Sequence, residues 1–332
     1  MNSPFFSVII PTYNVAEYIR DTLSAVLAQS FTDWELIIVD DGSNDGTTDI
    51  LKEYSHQSGI KIFFNDKNSG NPFLVRKRAA EQASGRYLVP FDADDIIAPD
   101  LLETAYEKIS NENCQLVIPE MWRFSEDLEN SFYLLPAPFI DKDSLYKGKD
   151  LVKHTLCHWE IPMAGFAIEK NIFVRAYRSL SIQDMESIHA DELLSRHILL
   201  LADAVIFSDS RYYYRINPHS ITNNPVKTIE GGITTNRSLL RFCKKEFGID
   251  SEEFRKATLQ NFLFLLNTLN SKKLKSLSKS ERLIYKEKIN NEKRNLDLTP
   301  IKNHISPLYN LLWCLPGSYS GDAIELIRSL KR

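Results

Sequence analysis

The sequence lacks any apolar run long enough to cross a bilayer. A spanning helix needs roughly 18 or more uninterrupted apolar residues, and no such window occurs, so no transmembrane helix is expected. No basic leader with an apolar stretch and a cleavage site precedes the strand-like segment Phe6 to Pro11, so no signal peptide is expected either. Cysteine is scarce. Cys114, Cys157, Cys243 and Cys314 are far apart and match no zinc spacing and no disulfide framework. They read as reduced thiols of a cytosolic protein. A large excess of one charge is missing too: the formal net charge of -4 gives no reason to expect nucleic-acid binding. There is no internal repeat and no low-complexity tract. The turn after the first strand has no Gly-x-Gly-x-x-Gly. Pro11-Thr12-Tyr13-Asn14 stands there instead, which argues against a nicotinamide-dinucleotide enzyme.

What is present is a chain of 332 residues, 43% hydrophobic, enough for one catalytic domain with an appendage. Over the first 120 residues short apolar runs alternate with amphipathic segments. Strands are expected at 7–11, 35–39, 60–64, 87–91 and 115–118. Helices are expected at 15–29, 47–54, from Asn71-Pro72 to a stop at Gly85, and from Pro99 through Ile109. Asn14 with Glu17 three residues on has the form of a capping box. Pro90 predicts a bulge or an irregular end to its strand. The alternation predicts an α/β fold with a largely parallel sheet covered on both faces. Ligands of such sheets bind beyond the carboxyl ends of the strands. Those ends carry Pro11-Thr12-Tyr13-Asn14, Asp40-Asp41 and Asp92-Ala93-Asp94-Asp95.

The pattern weakens over 121–160, where a long loop with Pro136 and Pro138 precedes a helix near 148–157. A short apolar segment at 165–168, a helix at 190–201 and strands at 204–207 and 212–215 follow. Beyond about 226 the chain reads as helical and lysine-rich.

Asp92-Ala93-Asp94-Asp95 is the strongest chemical signal. In an extended segment Asp92 and Asp94 project to the same side, and paired carboxylates hold a hard divalent ion that keeps sites open for diphosphate oxygens. The bland alternative is a polar turn capping the next helix. Asp40-Asp41-Gly42-Ser43 is equally a ligand loop or a turn with a helix cap. His154 and His158 have the i, i+4 spacing of a metal pair, but no carboxylate completes a motif. Asp191 and Glu192 open a helix, where acids complement the dipole.

Four motifs occur in order: Ser7 to Asn14, Ile37 to Thr47, Gly85 to Asp95 and Tyr212 to Arg215. Together they resemble the family 2 inverting glycosyltransferases with the GT-A fold, above all the bacterial members that build capsule, lipopolysaccharide and other surface glycans. The resemblance covers roughly residues 5–222. It implies a GT-A, Rossmann-like catalytic domain at 1–222, with a donor half at 1–120 and an acceptor half at 121–222, followed by a helical C-terminal region at 223–332. It implies a nucleoside-diphosphate sugar donor, a UDP-sugar, and a glycan or lipid-linked acceptor.

Residue by residue, Pro11, Tyr13 and Asn14 would line the nucleotide pocket, and Asp41 would accept from the uracil ring. Arg76 would approach the nucleotide or diphosphate, with Lys77 where the family usually has Asn. Asp92 would face the ribose and the metal, and Asp94 would hold the metal, Mn2+ or Mg2+. In His189-Ala190-Asp191-Glu192 the family's Glu-Asp pair is changed, Ala190 standing for the Glu. Asp191 would be the general base, with Glu192 as the alternative. Arg215 would meet the leaving diphosphate or pair with a surface acid. His219 would complete the metal or diphosphate site or is a surface histidine. The departure at Ala190 leaves open a second reading, a catalytically impaired sugar-nucleotide-binding subunit of a glycan assembly complex.

The tail carries a basic run, Lys272, Lys273, Lys275 and Lys279, an apolar cluster of Leu308, Leu311, Leu312 and Trp313, and a helical stripe of Ala323, Leu326, Ile327 and Leu330. These suit an amphipathic segment packed on the core or on a second subunit of a homo-oligomer. They equally suit peripheral contact with the inner face of the membrane.

Overall fold

The computed structural model describes residues 3–138, 140–157, 159–217 and 223–302. Within these the strands are β1 (Phe6–Thr12), β2 (Trp34–Asp40), β3 (Ile60–Phe64), β4 (Tyr87–Pro90), β5 (Ile96–Ile97), β6 (Leu116–Phe124), β7 (Phe132–Leu135), β8 (Ala167–Glu169) and β9 (Val205–Arg215). They interleave with helices α1 (Ile19–Leu27), α2 (Thr47–Tyr54), α3 (Pro72–Gln82), α4 (Leu101–Glu112), α5 (Gly148–Leu151), α6 (Lys170–Arg178), α7 (Ile182–Met185) and α8 (Ala190–Leu201).

The strands form one nine-stranded sheet in the order β3-β2-β1-β4-β8-β6-β9-β5, with β7 paired to β6 alone. β3, β2, β1 and β4 run parallel, as do β6 and β9. The short β5, β7 and β8 enter antiparallel. The parallel strands are near-continuous apolar runs because both faces are covered. Val8, Ile10, Leu36 and Ile38 join one cluster with Leu23 of α1, Leu51 of α2 and Leu102 of α4. Ile9 and Ile37, also fully buried, alternate to the face on which α3 packs against β1 and β2. The result is the GT-A type of α/β sheet.

The strand ends are tied laterally. Asp41 N–H donates to Thr12 O at 2.8 Å, and Phe91 N–H to Ile9 O at 3.0 Å. Glu35 fixes the opposite ends. It accepts from the Ser7 hydroxyl at 2.7 Å, from Lys61 Nζ at 2.7 Å and from the Ser84 N–H at 2.6 Å.

Several local expectations change. The first helix starts at Ile19, with Tyr18 at its N-cap and no side-chain cap bond. Asn14 is not a capping residue: its φ is 50°, and its Oδ1 accepts the Asn44 N–H at 2.9 Å. The tertiary bond between loops outcompetes a local cap. Asn71 does cap α3, accepting from Phe73 N–H and Leu74 N–H. α3 stops at Gln82, however, and Gly85 does not terminate it. A Cβ at Gly85 would lie 2.6 Å from Ser7 Oγ, so the residue is there for close approach to β1. Pro90 is the last residue of β4, paired with Ile9, where no further ladder donor is needed. The helix near 148–157 splits into α5 and a 3-10 turn at Val152–Thr155. The two strands expected at 204–207 and 212–215 are one, β9, whose register against β6 shifts between Ile118 and Glu120.

The described chain divides into two compact units. One comprises 1–155, 159–186 and 190–218, and the other 156–158, 187–189 and 219–332. The second is helical: α9 (Pro225–Phe247), α10 (Glu252–Asn270), α11 (Lys272–Ser276), α12 (Lys279–Asn295) and α13 (Thr299–Lys302). Gly232 lets α9 approach α10, since a Cβ there would meet the Phe264 ring at 2.2 Å. Leu259, Phe262, Leu266 and Ile301 form one apolar cluster, and Ile229, Leu265, Leu274 and Ile289 another. In the basic run, Lys273 donates to Thr228 Oγ1 at 3.3 Å. Among the described residues no helix is long and apolar enough to cross a membrane. The apolar cluster at 308–313, the stripe at 323–330, His158 and His219 lie outside the described residues.

Candidate active site

The site is built on the carboxyl ends of β1, β2 and β4. Asp40 ends β2 and is spent on its own turn: the hydroxyls of Ser43 and Thr48 donate to it at 2.5 and 2.8 Å. Asp41 is buried and faces the other way. Its carboxylate accepts from Asn65 Nδ2 at 2.6 Å, the Ser69 N–H at 2.9 Å and the Ser69 hydroxyl at 2.8 Å. A carboxylate has about four acceptor sites, so one remains for an incoming donor. Gly42, at φ 73°, allows this turn to touch the 67–68 backbone, where a Cβ would lie 2.9 Å from Lys67 C. Pro11 is half-buried, while Tyr13 and Asn14 are exposed beside this turn.

Beyond β4 the three aspartates of the acid loop separate into different tasks. Arg76 Nη2, from α3, donates to Asp92 Oδ1 at 2.5 Å. Burial opposes the Arg76 charge, but Asp92, Tyr177 and Asp191 outweigh it and hold the guanidinium firmly protonated. Lys77, the next residue, is exposed and points to Glu81.

Asp94 accepts from Asn217 Nδ2 at 2.8 Å. Burial raises its carboxyl above the usual range; the Asn217 bond works against this, and the charge of Asp92 adds to it. Two neighbouring carboxylates, with oxygen donors only, match what a hard divalent cation would neutralise. Among the described residues no group of three or more His, Cys, Asp or Glu side chains is placed to hold a metal.

Asp95 is wholly enclosed. The Tyr212 hydroxyl donates to one oxygen and the Arg215 N–H to the other at 2.8 Å. Thr22 of α1 holds the loop's backbone, donating to Ala93 O and Asp95 O, each at 2.9 Å.

Arg215 is buried beside the acid loop. Its Nε donates to Asp94 O at 2.7 Å, and its Nη2 lies 3.3 Å from Asp21 Oδ2. The guanidinium sits between the rings of Tyr18 and Phe124, 5.0 and 4.5 Å from their centroids. Arg215 thus pairs with Asp21 and grips the acid loop.

A cavity of about 440 Å³ opens beside Asp92. Arg76 and Asp92 border it on one side, Asp191 and Glu192 of α8 on another. The remaining wall includes Trp159, Met163, Phe166 and Tyr214. Sequence reasoning had placed Asp92 and Asp191 in separate motifs about a hundred positions apart; the fold sets both on one hollow. Glu192 differs from Asp191 in that its Oε2 lies 3.4 Å from the buried Arg196. The residues that the sequence does not single out are Asp21, Arg123, Trp159, Arg196 and Asn217. Only Arg196 had a visible signal, its i, i+4 spacing from Glu192, which reads as an ordinary surface pair.

A sheet of this topology, with acids at successive strand ends and a carboxylate opening a helix across a cavity, defines a GT-A glycosyltransferase fold. Residues 7–165 match the family model described as Glycosyl transferase family 2. It is 44% identical over 112 residues to the putative teichuronic acid biosynthesis glycosyltransferase TuaG of Bacillus subtilis, a stretch covering 33% of this chain and 44% of that protein. The crystal structure of Staphylococcus aureus TarS 1-349 in complex with UDP-GlcNAc has a TM-score of 0.55 at 17% identity, covering 91% of this chain and 92% of that one. The Pyrobaculum calidifontis mannosyltransferase PcManGT, in complex with GDP-Man and Mn2+, has a TM-score of 0.55 at 14% identity, covering 97% and 84%. At these identities the two structures are alike in fold. The chain spans 31% and 44% of the length of the first curated relatives it matches.

Proposed function

We propose that the chain is an inverting glycosyltransferase that moves a sugar from a UDP-sugar to a hydroxyl of a glycan or lipid-linked acceptor in bacterial surface polysaccharide synthesis. The observation that carries this reading is the shared cavity of Asp92 and Asp191. The donor's diphosphate belongs at the Asp92 and Asp94 end and the acceptor hydroxyl at the Asp191 end. Asp191 takes the proton of that hydroxyl as it attacks the anomeric carbon from the face opposite the nucleotide. The C–O bond to the diphosphate breaks, and the configuration inverts. No covalent glycosyl-enzyme is required, so one base is enough.

Asp41 offers its remaining acceptor site to the uracil N–H, beside Pro11, Tyr13 and Asn14. Arg76 balances Asp92 and lies where a diphosphate would pass. A divalent ion, Mn2+ or Mg2+, held by Asp92 and Asp94 would neutralise charge on the departing nucleoside diphosphate. Arg215 and Asn217 keep that acid loop in place. We take 1–222 as the catalytic domain and 223–332 as its helical extension, working at the cytoplasmic side of the membrane.

The test is a screen of UDP-sugars for nucleotide release with Mn2+ or Mg2+ present or chelated, on the wild type and Asp94→Ala. Release that needs the ion and is lost in Asp94→Ala is expected. Full release after chelation removes the metal from the reading. Release with no UDP-sugar in the presence of acceptor extracts, while UDP binds normally, would leave the non-catalytic binding subunit in its place.

A further inference from the structure

The cavity has two chemically different ends. Its polar end holds Arg76, Asp92 and Asp191; its far wall is aromatic and aliphatic, with Leu134, Pro162 and Met163 beside Trp159. Trp159 is half-buried and borders the cavity, while the Arg196 guanidinium lies over its ring, 4.6 Å from the centroid. Arg196 is completely buried. Its Nε donates to Thr155 Oγ1 at 3.1 Å, its Nη2 to Thr155 O at 2.5 Å and its Nη1 to Glu192 O at 2.8 Å. A guanidinium held this firmly fixes the plane of the indole stacked on it. One face of Trp159 is thereby taken, and the residue also borders the cavity.

The charges around the cavity limit what that occupant can be. Its bordering cations are Arg76 and Arg123. Arg76 is committed to Asp92, and Arg123 lies over the Tyr214 ring, 5.4 Å from the centroid. Asp191 and Glu192 add negative charge next to the indole. A phosphate beside Trp159 would meet the two acids of α8, while the bordering guanidiniums stand on other elements, Arg76 bonded to Asp92 and Arg123 stacked on Tyr214 with a buried Nε that has no hydrogen-bond partner. A pyranose has the opposite character, with an apolar C–H face and hydroxyls on its rim. Pockets that combine an aromatic wall with a few placed polar groups orient ligands of this kind.

We propose that Trp159, braced by Arg196, is the acceptor platform, and that the acceptor group bound there is an uncharged sugar ring rather than a polyol phosphate. The ring's C–H face lies on the indole, and one rim hydroxyl is presented to Asp191. This rests on the glycosyltransferase reading above and names the acceptor class for the same site.

The experiment is saturation-transfer NMR on the full chain with UDP and Mn2+ present. The probes are methyl β-D-glucopyranoside and methyl N-acetyl-β-D-glucosaminide, against glycerol 3-phosphate and ribitol 5-phosphate. Transfer to the ring C–H protons of the glycosides is expected in the wild type and in Trp159→Phe, with a loss of about tenfold or more in binding in Trp159→Ala, roughly what one lost aromatic contact is worth. The phosphates should show none. Transfer that survives in Trp159→Ala, or that appears only with the phosphates, overturns the proposal. UDP affinity by calorimetry is read on the same samples. It should be equal in all three proteins, and wild-type chain that binds glycoside but not UDP would sink the donor reading while leaving the platform standing.

Discussion

The Tyr212 hydroxyl donates to the carboxylate of Asp95, joining the acid loop after β4 to the strand β9 that is made more than a hundred residues later. The same carboxylate takes the Arg215 N–H. Asp95 is thus the structural member of the Asp92-Ala93-Asp94-Asp95 run. Asp95→Ala orphans a buried hydroxyl and a buried N–H, each costing about 1–3 kcal/mol. Thermal unfolding should show a clear loss for Asp95→Ala and a change within experimental scatter for Asp94→Ala. Equal stability of the two variants would contradict this division of labour.

Asp191→Asn keeps the shape and removes the proton acceptor. General-base assistance is worth about 10²–10⁴ in rate, so turnover should fall by that much with UDP affinity unchanged. Glu192→Gln should be milder, because Glu192 lies beside buried Arg196. The reverse order, with Glu192→Gln nearly dead and Asp191→Asn active, would move the base by one position. Normal transfer in both would remove this helix start from the mechanism.

Asp41→Ala removes the acceptor proposed for uracil and releases Asn65 and Ser69 together. A hydrogen bond to a charged group is worth about 1.5–3 kcal/mol, or about one to two decades in affinity. Calorimetry should show UDP weakened by that amount in Asp41→Ala. Ser69→Ala, which leaves the carboxylate in place, should change it only a few-fold. Unchanged UDP binding in Asp41→Ala takes the residue out of the pocket.

Glu35 gives a pH-dependent prediction remote from the chemistry. Burial alone would raise its carboxyl, but Lys61, Ser7 and Ser84 hold it down at about 2. A carboxylate depressed in the fold stabilises above its unfolded value, and that contribution disappears as pH falls through the folded one. With an unfolded value of about 4.3, a shift of this size corresponds to about 3 kcal/mol as an upper figure. Glu35→Gln should be less stable than the wild type at pH 7, and the gap should close between about pH 4 and pH 2. A gap that persists unchanged to pH 2 would assign the loss to packing instead.

The fold was most legible where one signal had no rival. The helix at Thr47–Tyr54, the strand at Ile60–Phe64 and the helix at Ala190–Leu201 stand where periodicity placed them. The sequence was silent where tertiary contacts decide. β7 is an exposed strand with no apolar alternation, and Asn14 abandoned a plausible cap for the backbone of Asn44. The same holds in the site. Three aspartates within four residues look alike on paper; Arg76, Asn217 and Tyr212 make them different. Arg215 reaches the exposed Asp21 while its guanidinium lies between two rings, which no local pattern shows. No local pattern announces an arginine at a helix's buried centre such as Arg196.

The order in which the loop is fastened bears on how the chain is made. Asp94 and Asp95 leave the ribosome early, yet Tyr212, Arg215 and Asn217, which grip them, follow some 120 positions later. Closing so long a segment is entropically slow. A nascent chain arrested at residue 165, where the family match ends, would already contain every acid of the loop and none of these three clasps. The earliest polypeptide able to hold the Asp94 and Asp95 carboxylates by these bonds is therefore one translated through Asn217.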